Sequence, residues 1–156
     1  MGERFPKGQG LNAPEPAAPI IVVHSLTHAV GALAAAADTG RRLVVLSASD
    51  AGIYAGPGWF KALVDAARAA VPAAQAEFIL DCGDDAGAVQ GAIRSGIAAI
   101  VFTGRGDVAD RLAAIAASRG SRLLTRRPEA TLDLGRWFFA DGETAHRRCA
   151  EALGSG

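Results

Sequence analysis

Five short apolar runs recur along the chain, each followed by residues at helical spacing and closed by a glycine or proline. They are Ile20-Ile21-Val22-Val23, Leu43-Val44-Val45-Leu46, Ala76 to Leu80, Ile97 to Phe102, and Arg122-Leu123-Leu124-Thr125. The best of them are continuous rather than alternating, the mark of strands buried on both faces. Between them lie helical stretches. One is capped by Ser25 or Thr27, turns Leu26, Val30, Leu33 and Ala37 inward, and stops at Gly40. A second starts at Pro57, carries Trp59, Leu63, Ala67 and Val71, and is closed by Pro72. A third runs from Asp84 or Asp85 to Ser95, and a fourth from Asp107 to about Arg119.

Alternation of this kind predicts an α/β domain, because strands joined through helices pair in parallel with right-handed crossovers. We expect a three-layer αβα arrangement of flavodoxin or Rossmann-like type, with a mainly parallel sheet of five to six strands. The segment from Ile20 to Ala48 aligns with that from Phe78 to Gly104, so one βαβ unit is approximately repeated. Late in the chain, Thr131-Leu132-Asp133-Leu134 alternates as a half-exposed strand would. Trp137-Phe138-Phe139 is the densest aromatic cluster, and a last helix from Gly142 to Leu153 places Ala145, Cys149 and Leu153 on one stripe. Residues 1–18 differ from all of this. They are rich in proline and glycine without hydrophobic period, and read as an extended arm ahead of a single domain over 19–156, with Phe5 and Leu11 as possible contacts to a neighbouring subunit.

Composition narrows the function classes. Half of the 156 residues are hydrophobic, mean hydropathy is +0.21, and sixteen basic residues balance sixteen acidic ones. Such a chain is not disordered throughout, and it lacks the basic surplus of a nucleic-acid or anionic-membrane binder. No run of eighteen apolar residues appears, nor an apolar signal-peptide core, and two cysteines are too few for a disulfide scaffold. We therefore expect a cytoplasmic protein without nucleic-acid or membrane partners. The aromatic cluster suggests self-association into a homo-oligomer.

Ligands of open parallel sheets bind beyond the carboxyl ends of the strands. That rule selects His24-Ser25, Ser47 to Asp50, Asp81 to Asp84, Thr103 to Gly106, and Thr125 to Arg127. From these we expect a small anionic ligand bound by Ser47, Asp50, Tyr54, Asp84, Thr103, Gly104, Arg105, Gly106 and Arg126. Tyr54 lies in the longest loop of the series, Ser47 to Gly58, where glycines permit movement and an aromatic face permits stacking. His24 and Cys82 occupy matching positions in the repeat. On neighbouring strands they would form a Cys-His pair, a catalytic alternative in which the thiolate is the nucleophile. The run Gly104-Arg105-Gly106-Asp107-Val108-Ala109 fits G-x-G-x-x-[GA] after a strand and before a helix. With Arg126 and Arg127 beyond the next strand it resembles an NADP-type dinucleotide site, a further alternative. No P-loop is present, and His24 and His28, though four residues apart, indicate no metal site because His24 ends a strand and only His28 lies on the helix.

The segment from Ala92 to Ala117 (about one sixth of the chain) is similar to a βα unit of the phosphate-binding barrels, including aldolases acting on 2-keto-3-deoxy acids. That resemblance would imply a strand-borne Schiff-base lysine. The only lysines are Lys7 in the arm and Lys61 in a helix, so the chain departs from that family at its reactive residue. Five strands are also too few for an eight-stranded barrel.

Overall fold

A computed structural model describes residues 17–154; most of the expected N-terminal arm, with Phe5 and Leu11, lies outside the described residues. One sheet organises the chain, all six of its strands parallel: β1 (Ile20–Val23), β2 (Leu43–Ser47), β3 (Ala76–Asp81), β4 (Ala99–Val101), β5 (Arg122–Leu124) and β6 (Leu132–Asp133). The helices are α1 (Leu26–Thr39), α2 (Ala51–Tyr54), α3 (Pro57–Ala70), α4 (Ala86–Arg94), α5 (Gly106–Ser118) and α6 (Gly142–Gly154). The α/β class and the parallel, Rossmann-like sheet read from the sequence are thus what the structure shows. Gly40 takes the left-handed conformation (φ 66°) required of a helix stop, its amide bonding back to Ala36 and Ala37.

Strand order is β5-β4-β3-β2-β1-β6. This is not the flavodoxin order, in which the direction reverses beside β1 after a single step to β2. Here five strands are laid down in sequence, and the chain reverses only once, to place β6 on the free side of β1. Successive right-handed crossovers stepping one way put their helices on one face. The core agrees. Ile21, Val23, Val45, Phe78, Leu80 and Ile100 pack with Leu33, Phe60, Val89, Leu112 and Cys149 from the helices. On the opposite face Val22, Leu46, Ile79, Ala99 and Val101 form a second cluster to which, among the described residues, only strand residues contribute.

The reversal from β5 to β6 is made by 125–131, which must pass four strands. Five interstrand spacings of about 4.8 Å require roughly 24 Å. A seven-residue link at about 3.3–3.6 Å per residue barely reaches that far, so the segment has to be extended and cannot coil into a helix. Arg127 ties it down midway: its guanidinium donates to Asp81 Oδ2 at 2.7 Å and to the Ser47 carbonyl at 3.0 Å.

Helix α1 lies between α3 and α6, and its buried residues are small: Ala29, Gly31, Ala32, Ala35 and Ala36, with His28 and Leu33. A β-carbon on Gly31 would stand 2.8 Å from that of Ala145, so glycine sets the close approach of α1 and α6. Two residues assigned to inner faces lie outside instead, Leu26 and Trp59, each partly exposed. Neighbouring Phe60 takes the core position expected for Trp59.

Candidate functional site

Ligands of open parallel sheets bind at the carboxyl ends of the strands, near the point where the strand order reverses, and the order here reverses between two neighbouring strands. In this chain those strands are β1 and β6. Val22 is paired with Asp133, so His24, two residues further on, stands just past the sheet beside the Asp133 carboxylate. His24 Nε2 and Asp133 Oδ1 are 2.6 Å apart. The Gly135 amide donates to the same oxygen at 2.8 Å and fixes the carboxylate from behind. A β-carbon at Gly135 would come within 2.9 Å of His24 Nε2, so only glycine leaves room for the ring. Partial burial pushes the Asp133 carboxyl up. The Gly135 amide, the His24 ring and the Arg127 charge together outweigh that and hold it below its ordinary value.

His28 supports the pair from one helical turn away. It is fully buried, and its Nδ1 accepts the His24 amide at 3.1 Å. The proton must therefore sit on Nε2, which donates to the Trp137 carbonyl at 3.3 Å. Burial pushes its pKa down. The Trp137 carbonyl opposes this, the charge of His24 adds to it, and the net shift is downward. His28 is a neutral spacer with both nitrogens in use. His24 differs: with Nε2 directed to Asp133, its Nδ1 has no partner among the described residues.

The remaining edge is built by β2, β3 and β4. Ser47 is buried and structural, its hydroxyl accepting the Asp81 amide and donating to the Ala48 carbonyl, both at 2.9 Å. Asp50 has φ 61°, the one positive value among described non-glycine residues, and its carboxylate lies against the Gly83 backbone where a β-carbon would clash. Tyr54, Asp84, Thr103 and Arg126 are exposed, and Gly106 opens α5. Gly104 rests on the ring of Phe102, with no space for a β-carbon, so packing rather than phosphate approach explains the first glycine of that motif. Arg105 is engaged bidentately by Asp107 at 3.1 and 3.0 Å, which commits its charge locally.

The catalytic pair expected from the repeat is not formed. β2 separates β1 from β3, so His24 and Cys82 end on non-adjacent strands. The Cys82 side chain also points into the helix-facing core, beneath Gly52. Burial, with the charges of Asp81 and Asp85, pushes its thiol up to about 12. Burial alone does the same for Cys149. A thiol in that state is inert near neutrality. We expect the native protein to show no reaction of its two cysteines with Ellman's reagent in mildly alkaline buffer, and full reaction once unfolded in guanidinium. A rapidly reacting thiol in the folded protein would contradict the burial.

Asp133 and Gly135 were not among the residues expected to form a site, and Arg127 lay in a selected segment of which only Arg126 was expected to bind the anion. A signal for one of them was present. Asp133-Leu134-Gly135 and Asp81-Cys82-Gly83 are both Asp-x-Gly at a strand end, and in each the aspartate accepts the amide two residues on, at 2.8 and 2.7 Å. The turn fixes each carboxylate, and a cationic or imidazole partner then takes it up: Arg127 for Asp81, His24 for Asp133.

No family model matches the chain. A comparison with curated proteins likewise finds no match. Among the described residues, no helix is long and apolar enough to cross a membrane, and no group of three metal-ligating side chains converges.

Proposed function

We propose that the chain binds a small anionic molecule at the carboxyl edge of its sheet, with His24 at the β1–β6 reversal as the anchor. The observation that carries this reading is the His24–Asp133 pair with its uncommitted Nδ1. Asp133 holds the proton on Nε2 and, when the ring is also protonated at Nδ1, balances its charge; that N–H then donates a charge-assisted hydrogen bond to a carboxylate or phosphate oxygen. The fourteen-residue helix α1 begins at Leu26, and its positive end adds to the same field. Arg105, the anchor expected from sequence, is held by Asp107. Arg126, at the start of the 125–131 crossover, is exposed, and the hydrogen bonds of the His24–Asp133 pair do not include it.

Titration of ¹⁵N-labelled protein with inorganic phosphate and with succinate tests this. Amide shifts should gather at Leu26, Thr27 and Gly135 and disappear in His24→Gln. Shifts centred on Arg105 to Asp107, or none at all, would remove His24 from that role.

A further inference from the structure

We propose that His24 is a phosphoryl-accepting histidine, taking a phosphoryl group on Nδ1 from a small donor of the acyl-phosphate class. This rests on the anion-site reading and names the anion. An imidazole is a nucleophile when one nitrogen keeps its lone pair and the other holds a proton that a base can steady. His24 meets both conditions: Nε2 faces Asp133 at 2.6 Å, Nδ1 is unpartnered among the described residues, and the side chain is one quarter exposed. The carboxylate cannot swing away, because the Gly135 amide holds the same oxygen.

In the step, the Nδ1 lone pair forms the N–P bond while the P–O bond to the donor's carboxylate breaks. That electron pair leaves with the carboxylate. The ring becomes positively charged, and Asp133 balances the charge through the Nε2 proton. No oxidant is required, and no proton has to leave the site.

The other two histidines are internal controls. Both nitrogens of His28 are committed. His146 resembles His24 more closely, with Nε2 2.8 Å from Asp38 Oδ2. Asp38, however, lies in the last turn of α1, while His24 precedes the first. The same helix presents its negative end to one pair and its positive end to the other, so an incoming phosphoryl dianion is repelled at His146 and attracted at His24.

Full-length protein incubated with acetyl phosphate at neutral pH should gain one phosphoryl group, acid-labile and base-stable, placed on His24 by peptide mapping. His146→Gln should label normally, and His24→Gln should not label. Asp133→Asn should slow labelling at least about tenfold, the worth of one charge-assisted hydrogen bond. Equal labelling of His24 and His146, undiminished labelling of Asp133→Asn, or no adduct at all would overturn the proposal. Phosphate-induced shifts at Leu26 and Thr27 without an adduct would leave the anion site standing and the phosphoryl step refuted. Absence of both would remove the two readings together.

Discussion

Replacing Arg127 with methionine should destabilise the protein by about 3–5 kcal/mol, read as a lower urea midpoint at unchanged slope. Its partner Asp81 has a side chain only 4% exposed. Without the guanidinium, that carboxylate remains buried beside the second cluster, with the Gly83 amide as its one hydrogen-bond partner left among the described residues. An uncompensated buried charge is among the few single changes able to remove a large part of a domain's stability of about 5–15 kcal/mol. Asp81→Asn in the same background should restore much of the loss, since the charge is then gone. Arg127→Lys should fall between, keeping the charge but losing the second donor that reaches the Ser47 carbonyl. The effect should spread to the site. Arg127 is the midpoint tie of the 125–131 crossover, and that crossover delivers β6 and hence Asp133. The His24 ring signals should therefore broaden or shift in Arg127→Met. A methionine variant within about 0.5 kcal/mol of the parent would mean that the pair does not hold the crossover.

The strands were legible because a parallel strand covered on both faces needs apolar residues without alternation. The runs at Ile20, Leu43 and Ala76 match β1, β2 and β3 within one residue at each end. Glycine stops were legible for an equally physical reason: Gly40, Gly96 and Gly120 all have positive φ, which other residues avoid. The inward faces of the helices were read less well. α1 is packed from two sides by neighbours that need closeness, so alanine and glycine carry its burial, and large residues such as Leu26 mark the wrong stripe. Strand order was not legible. The right-handed rule fixes the hand of each crossover, but not the direction in which each step is taken. That one missing fact decided the site: it parted His24 from Cys82 and brought Asp133, more than a hundred residues away, to the histidine. The strand ends do lie along one edge, while which of their side chains meet depended on which strands are neighbours.

Replacing His28 with phenylalanine should cost about 2–6 kcal/mol near neutrality and flatten the loss of stability on acidification. Phenylalanine fills the volume and keeps an edge-on ring for Phe138, whose centroid is 6.1 Å from that of His28. It cannot accept the His24 amide or donate to the Trp137 carbonyl, and each group so orphaned is worth about 1–3 kcal/mol. The pH effect has a definite sign. The folded-state pKa of His28 is lowered, chiefly by burial, so the unfolded chain binds this proton more readily. The contribution of His28 is complete above the ordinary histidine pKa of about 6.5 and is lost as pH falls below it, through the folded value. Asp133, also held low, belongs to another window, because its contribution is complete above about pH 3.9 and is lost only in stronger acid. Urea titrations at about pH 7, 6 and 5 should therefore show a fall in the parent that His28→Phe lacks. The same fall in both proteins would place the titrating group elsewhere. Because the His24 amide loses its acceptor, the variant should also loosen the turn that positions His24, so phosphate-induced shifts at Leu26 and Thr27 should weaken with His24 itself unchanged. A variant that lost stability yet kept those shifts in full would show that His28 supports the fold without positioning the site.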